Sequence, residues 1–156
     1  MAIDTHIKFD GVDGESAHRD HKGEIAVLSW NWSLAAPAPA RSGAAASKAT
    51  PTDFRFVHAY DKASPLLARA GARGNVFKQV SLTARKSGEG QKDFLKVTMK
   101  EVFVTSVQLM SDADAMVEEV ALSPRFISYD YAPMDAKGSL GPTVAFSWNL
   151  ATGAVK

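Results

Sequence analysis

The chain has no cysteine, which excludes disulfides and thiolate metal sites and frees folding from any redox compartment. It has almost no net charge, because 18 Lys and Arg balance 17 Asp and Glu to leave +1. A nucleic-acid-binding protein usually shows a strong basic excess, so that class of partner is not expected. No apolar run approaches the roughly 20 residues of a membrane-spanning helix. The opening stretch, MAIDTHIKFDGVDGE, scatters Asp4, Lys8 and Asp10 among apolar residues. It lacks the basic start and apolar centre of a cleavable signal peptide, so folding is expected in the cytosol.

Catalytic signatures are equally scarce. The triplet HRD at 18–20 matches part of the kinase catalytic loop, but Ile25 stands where that motif needs its asparagine. There is no G-x-S-x-G elbow, phosphate loop or dinucleotide fingerprint, and DGVDGE lacks the spacing of a calcium loop. His18 and His21 would need a third zinc ligand, such as His6 or Asp20, and no HExxH frame accompanies them. The simpler reading of HRDHKGE is a solvated surface loop of mixed charge. His58 reads as a hydrogen-bonded histidine inside a barrel rather than a catalytic base. The chain is therefore not expected to be an enzyme or to hold a cofactor or metal.

What is present is core-forming material. Hydrophobic residues make up 46% of the 156 positions, enough for a single domain over 1–156. Much of it alternates with period two, as half-buried strands do. Residues 3–9 read as a first strand. Residues 10–24 form a polar loop long enough to suggest an interface or functional element. In EIAVLSWNWSL, residues Leu28, Trp30, Trp32 and Leu34 share one face, and Ser29, Asn31 and Ser33 share the other. The stretch 35–52 is rich in Ala, Pro and Ser and reads as a flexible loop.

Residues 53–60 form another strand with Phe54, Phe56 and Tyr60 on one face. One helix follows in KASPLLARAGARG, with Ser64 as its cap, Pro65 in its first turn and Gly71 or Gly74 at its end. Residues 75–107 make a long hairpin turning at SGEGQ, and its second arm becomes apolar on both sides around Val102 and Val104. Such a strand bends or gains a covering layer. SDADAMVEE reads as a mobile tip, and 119–133 and 142–150 as the last strands. The sum is mainly β: a small antiparallel β-barrel of about seven strands, with one flanking α-helix and extended loops. Trp30, Trp32 and Trp148 face one core from the two ends of the chain, each burying a large indole.

Several separate stretches, in order, resemble the haemolysin-coregulated protein (Hcp) family: IKFDGVDGES, HKGEIAVLSWNW, YDKASPLL, SLTARKSGEGQKDFLKVTMKEVFVTSV and PMDAKGSLGPTVAFSWNL. Together they span nearly the whole chain apart from 35–51. The resemblance implies a structural subunit of the inner tube of the bacterial type VI secretion system. Protomers would form a homo-hexameric ring, and rings would stack into a hollow tube. A spike protein would sit at the tube tip, a contractile sheath would expel it, and effector proteins would travel in the lumen. The subunit would be cytoplasmic before assembly and then secreted, without a signal peptide, to the extracellular space or a target cell. A tail-tube subunit of a phage-like contractile particle, or a monomeric β-barrel binding module, are the alternatives.

Within that frame Ser29, Asn31 and Ser33 become the expected lumen and effector contact, since they point away from the tryptophans. Gln79, Ser81 and Thr83 form a second uncharged face of the same kind. The long loop, with Glu15, Arg19, Asp20, His21, Lys22 and Glu24, becomes the expected ring-stacking element. Its mixed signs suit a weak contact that must form and later part. The double apolar face at Val102 and Val104 is expected to lie in the contact between ring neighbours.

Overall fold

The computed structural model describes residues 2–38 and 48–156. Residues 39–47 of the Ala/Pro-rich loop lie outside the described residues. The chain runs through β1 (Ile3–Phe9), β2 (Ile25–Val27), β3 (Ser29–Asn31), β4 (Leu34–Ala35), β5 (Thr50–Pro51) and β6 (Phe54–Ala59). There follow α1 (Ser64–Arg73), β7 (Val76–Lys86), β8 (Asp93–Ser111), β9 (Met116–Tyr131) and β10 (Val144–Asn149). Among the described residues no helix is long and apolar enough to cross a membrane.

The main sheet is antiparallel with strand order β2-β1-β7-β8-β9-β6-β3, and β10 adds to the second half of β9. Its two outer strands, β2 and β3, are consecutive in the chain. Only Leu28 separates them, and its N–H donates to the carbonyl of Val57 on β6 at 2.8 Å. Within one residue the chain thus leaves β1 and joins β6, and the sheet nearly closes into a barrel. That switch breaks the alternation read from the sequence. Leu28 is 65% exposed instead of sharing the core with Trp30, and Leu34 is exposed in the small β4–β5 ladder. This ladder also corrects the expectation of a wholly irregular 35–52 loop.

Ile7, Phe9, Ile25, Phe54, Phe56, Leu82, Met99 and Ile127 fill the barrel and are buried. Each such side chain contributes about 1.5–3 kcal/mol on leaving water. Tyr60, expected inward with Phe54 and Phe56, lies one residue past the end of β6 and is exposed.

The two-sided apolar stretch of β8 is explained by a bend and a cover together. Inward positions change from Val97 and Met99 to Val102 and Val104 across Glu101, whose φ is +50°. β7 changes in step: Val80 faces Met99, whereas Phe77 faces Val102. Helix α1 then lies on Val104, so closely that a Cβ at Gly71 would stand 3.2 Å from Val104 Cγ1. Val102 and Val104 are therefore consumed inside the protomer, which removes them from the expected ring contact.

Pro65 sits in the first turn of α1 as expected, and Gly74 ends the helix in the left-handed region at φ +69°. The cap differs. Ser64 is inside the helix and buried, Ala63 holds the cap position, and the Asp61 carboxylate accepts the Ala63 N–H at 2.9 Å. The expected mobile tip is a compact turn. Asp112 Oδ1 accepts the N–H groups of Asp114 and Ala115 at 2.8 and 2.9 Å, which lowers the Asp112 pKa and lets β8 and β9 pair as far as Ser111 and Met116.

Candidate functional site

The loop 10–24 is not a solvated projection. It is a flap folded over the outer face of β1 and β7. Gly14 lets it turn back tightly, since a Cβ there would sit 2.6 Å from the Glu24 carbonyl oxygen. The Gly14 N–H donates to Gly23 O at 2.8 Å, and the Ser16 N–H donates to Glu24 O at 2.9 Å. These bonds give the flap a shape of its own.

Arg85 fastens the flap to the barrel. A register slip between Ala84 and Arg85 puts Arg85 directly opposite Asp93 across the β7–β8 hairpin. The Arg85 Nε–H donates to Asp93 Oδ1 at 2.7 Å, and its Nη1 donates to Asp20 Oδ2 at 2.8 Å and to the Gln91 carbonyl at 2.9 Å. His21 closes the network: Nδ1 meets Glu24 Oε2 at 2.9 Å, and Nε2 lies 3.1 Å from Asp93 Oδ1. The hydrogen bond to Asp93 raises the Arg85 pKa, and the bond from Arg85 lowers that of Asp20. Burial alone would raise Asp93, but the hydrogen bonds from Arg85 and His21 outweigh it and leave that carboxyl below its ordinary range.

Of the six residues expected to stack rings, four are therefore engaged within the protomer. Asp20, His21 and Glu24 belong to the Arg85 network, and Glu15 accepts the Lys62 N–H at 2.7 Å. Arg19 and Lys22 are exposed and make no ion pair among the described residues. Among the described residues the flap thus presents Arg19 and Lys22 as free cations beside the exposed, unpaired Asp10 and Asp13. Arg85 and Asp93 escaped the sequence reading, although a cation before a hairpin turn and an acid just after it mark mirror positions. His6, His18 and His21, weighed above as zinc ligands with Asp20, do come together. No group of three His, Asp or Glu side chains converges on a metal position among the described residues.

The polar side of β3 is where the alternation put it. Ser29 and Asn31 are exposed, while Trp30 and Trp32 are half-buried on the opposite side. Ser33 is tied back, its Oγ within 3.2 Å of Thr52 Oγ1. The face is not free of charge, because Asn31 lies opposite Arg55, which pairs with Glu119 at 3.2 Å. Gln79, Ser81 and Thr83 line a separate trough on β7 with Lys8, Asp10 and Lys96, and β1 and β2 intervene. On the tryptophan side, Trp30 stacks on Phe54 at 5.4 Å and Trp32 meets Trp148 edge-on at 6.4 Å. Trp30, Trp32, Leu34, Tyr129 and Phe146 line an open apolar hollow of about 410 Å³, whose burial raises the Tyr129 pKa.

The model of the family described as "Type VI secretion system effector, Hcp" matches residues 6–131. The chain belongs to the Hcp family. It is 36% identical to Protein hcp1 of Pseudomonas aeruginosa, over 96% of each chain. Among solved structures, Hcp1 of Salmonella typhimurium superposes with a TM-score of 0.84 at 31% identity over the whole of both chains. A type six secretion system protein gives 0.90 at 29% identity, covering 99% of this chain and all of the other. A type VI secretion system effector of Yersinia pestis gives 0.76 at 29% identity, covering 94% and 99%. Hcp proteins are secreted structural proteins of the type VI system, not enzymes. In this Hcp chain the matched region holds the flap, the Arg85 network and β3, whereas β10 and Trp148 lie beyond it.

Proposed function

We propose that this Hcp chain is the ring-forming subunit of a type VI secretion tube. Six copies close a ring by head-to-side contacts, rings stack into a hollow tube, and the tube carries effectors in its lumen. A spike caps the tube, a contractile sheath drives it out, and export needs no signal peptide. The observation that carries the reading is the family match over residues 6–131, together with a 36% identical relative over 96% of the chain and the same fold over the whole chain. The open aromatic hollow beside Trp30 and Trp32 supports it, since an apolar surface of this kind favours a covering neighbour. Heterologous contacts between identical barrels close into a ring when their rotation allows.

Light scattering and electron microscopy of the purified protein test the reading. The expected result is a ring several times the mass of the 16.7 kDa protomer. A monomer alone at all micromolar concentrations would overturn it.

Stacking is assigned to the flap, through Arg19 and Lys22. Each exposed ion pair contributes at most about 1 kcal/mol, but a ring repeats the contact around its rim. The double reversal Arg19→Glu/Lys22→Glu should abolish tube growth and leave single rings intact, as seen by negative-stain counts of tube length. Tubes of normal length from that variant would remove the flap from the stacking contact.

A further inference from the structure

Three histidines form one cluster under the flap. The rings of His6 and His21 stack with centroids 4.8 Å apart and planes 10° apart. His18 meets His6 edge-on at 5.0 Å and lies 5.5 Å from His21. His6, on β1, is 5% exposed, and His21, on the flap, is 6% exposed. Nδ1 of His6 is buried with no hydrogen-bond partner. A neutral His6 ring tolerates this packing. A proton on His6 would place a positive charge face-on to a second ring and edge-on to a third, with one nitrogen cut off from water.

The charges around the cluster do not cancel that effect. Asp4 on the same strand and Glu24 on the flap act on His6, but Glu24 is already bonded to His21 Nδ1. Asp93 on β8 faces His21 and is shared with Arg85 of β7, whose Nη2 lies 3.2 Å from His21 Nε2. Asp20 is likewise held by Arg85. Farther along the same face, Lys8, Asp10, Lys96 and Asp130 line the trough beside Glu24 and Asp93.

We propose that His6, His18 and His21 form a pH-operated latch, which holds the flap of residues 10–24 on β1 and β7 while His6 is neutral and releases it as His6 gains a proton. The latch is a property of one protomer. Its consequence for the tube rests on the reading of the flap as the stacking contact: acid should dissolve tubes into rings. Burial, then the charges of His21 and His18, hold the His6 pKa below its ordinary 6.5. A group with a depressed pKa binds its proton more readily once released, so protonation favours opening. The closed flap is fully held above about pH 6.5 and loses stability as pH falls through the lower, folded value. The flap keeps its internal bonds, such as Gly23 N–H to Ser16 O at 2.9 Å, so it is able to move as a unit.

Hydrogen exchange on the assembled protein tests the latch. Amides of the flap and of β7 are followed from about pH 7.5 to about pH 5, with intrinsic rates corrected. Flap protection should fall about tenfold or more across that range while β7 stays protected. His6→Gln should keep the flap protected at both ends of the range. His18→Gln, at a less buried ring, should weaken the pH response and guards against misfolding of the first variant. Protection that does not change with pH in the parent protein overturns the latch, as does a full pH response in both variants. Microscopy of the same samples separates the two readings. Tubes that persist while the flap opens uphold the latch and remove the flap from stacking, whereas tubes that dissolve while the flap stays protected overturn the latch.

Discussion

Glu118→Leu should destabilise the barrel by roughly 3–5 kcal/mol, read as a shifted urea midpoint at neutral pH. Glu118 Oε1 lies 2.9 Å from His58 Nε2, and both side chains are buried. His58 Nδ1 has no hydrogen bond, with Asp61 Oδ1 at 3.8 Å. Removing the carboxylate therefore leaves an imidazole with both nitrogens unsatisfied inside the protein. The loss comes from that stranded group, not from the worth of the pair. Replacing both partners, as His58→Leu/Glu118→Leu, should recover most of the lost stability, because two apolar side chains need no partner. A loss below about 1 kcal/mol in the single variant would match an exposed ion pair and contradict the buried geometry.

His58 also shows how far the sequence carries. Its place on the inward face of β6 follows from the period-two pattern of Phe54 and Phe56, and a buried histidine needs a partner. Which partner it finds depends on β6 pairing with β9 so that His58 faces Glu118, sixty residues away. Pairing register across that distance leaves no local mark. The same limit explains the flap. Its polarity and length were legible, but polar residues in a loop read as solvated until a distant Arg85 is known to face them. Leu28 failed for another reason: a strand that changes partners mid-run loses its alternation at the switch. The long apolar-polar alternations of β1, β7 and β10, and the Pro65–Gly74 punctuation of α1, needed no distant information and were read correctly in kind.

The tryptophan core and the polar side of SWNWS give a paired prediction. Trp148→Ala should cost about 3–5 kcal/mol, as other large-to-small changes in a packed core do. Trp148 is 8% exposed, belongs to the core and meets Trp32 edge-on, so the void opens between β10 and the barrel. Trp30→Ala should cost roughly half as much, since its ring is half-buried beside the open hollow and the stack on Phe54 is its main contact. Asn31→Arg reverses the logic. Asn31 is exposed on the other side of β3, so no core packing is disturbed. Its one adverse contact is Arg55 on β6, a like charge directly opposite, worth about 0.2–1 kcal/mol and softened by the Arg55 pair with Glu119. The expected result is a normal ring with a slightly lowered melting temperature. If the face of Ser29 and Asn31 lines the lumen, effector co-purification should fall sharply in the same variant, because a long cation fills space and brings unmatched charge. Unfolding by Asn31→Arg, with Trp30→Ala tolerated, would reverse the two sides of the strand. An intact Asn31→Arg ring that retains every effector would confine Asn31 to the wall and deny it a role in holding cargo.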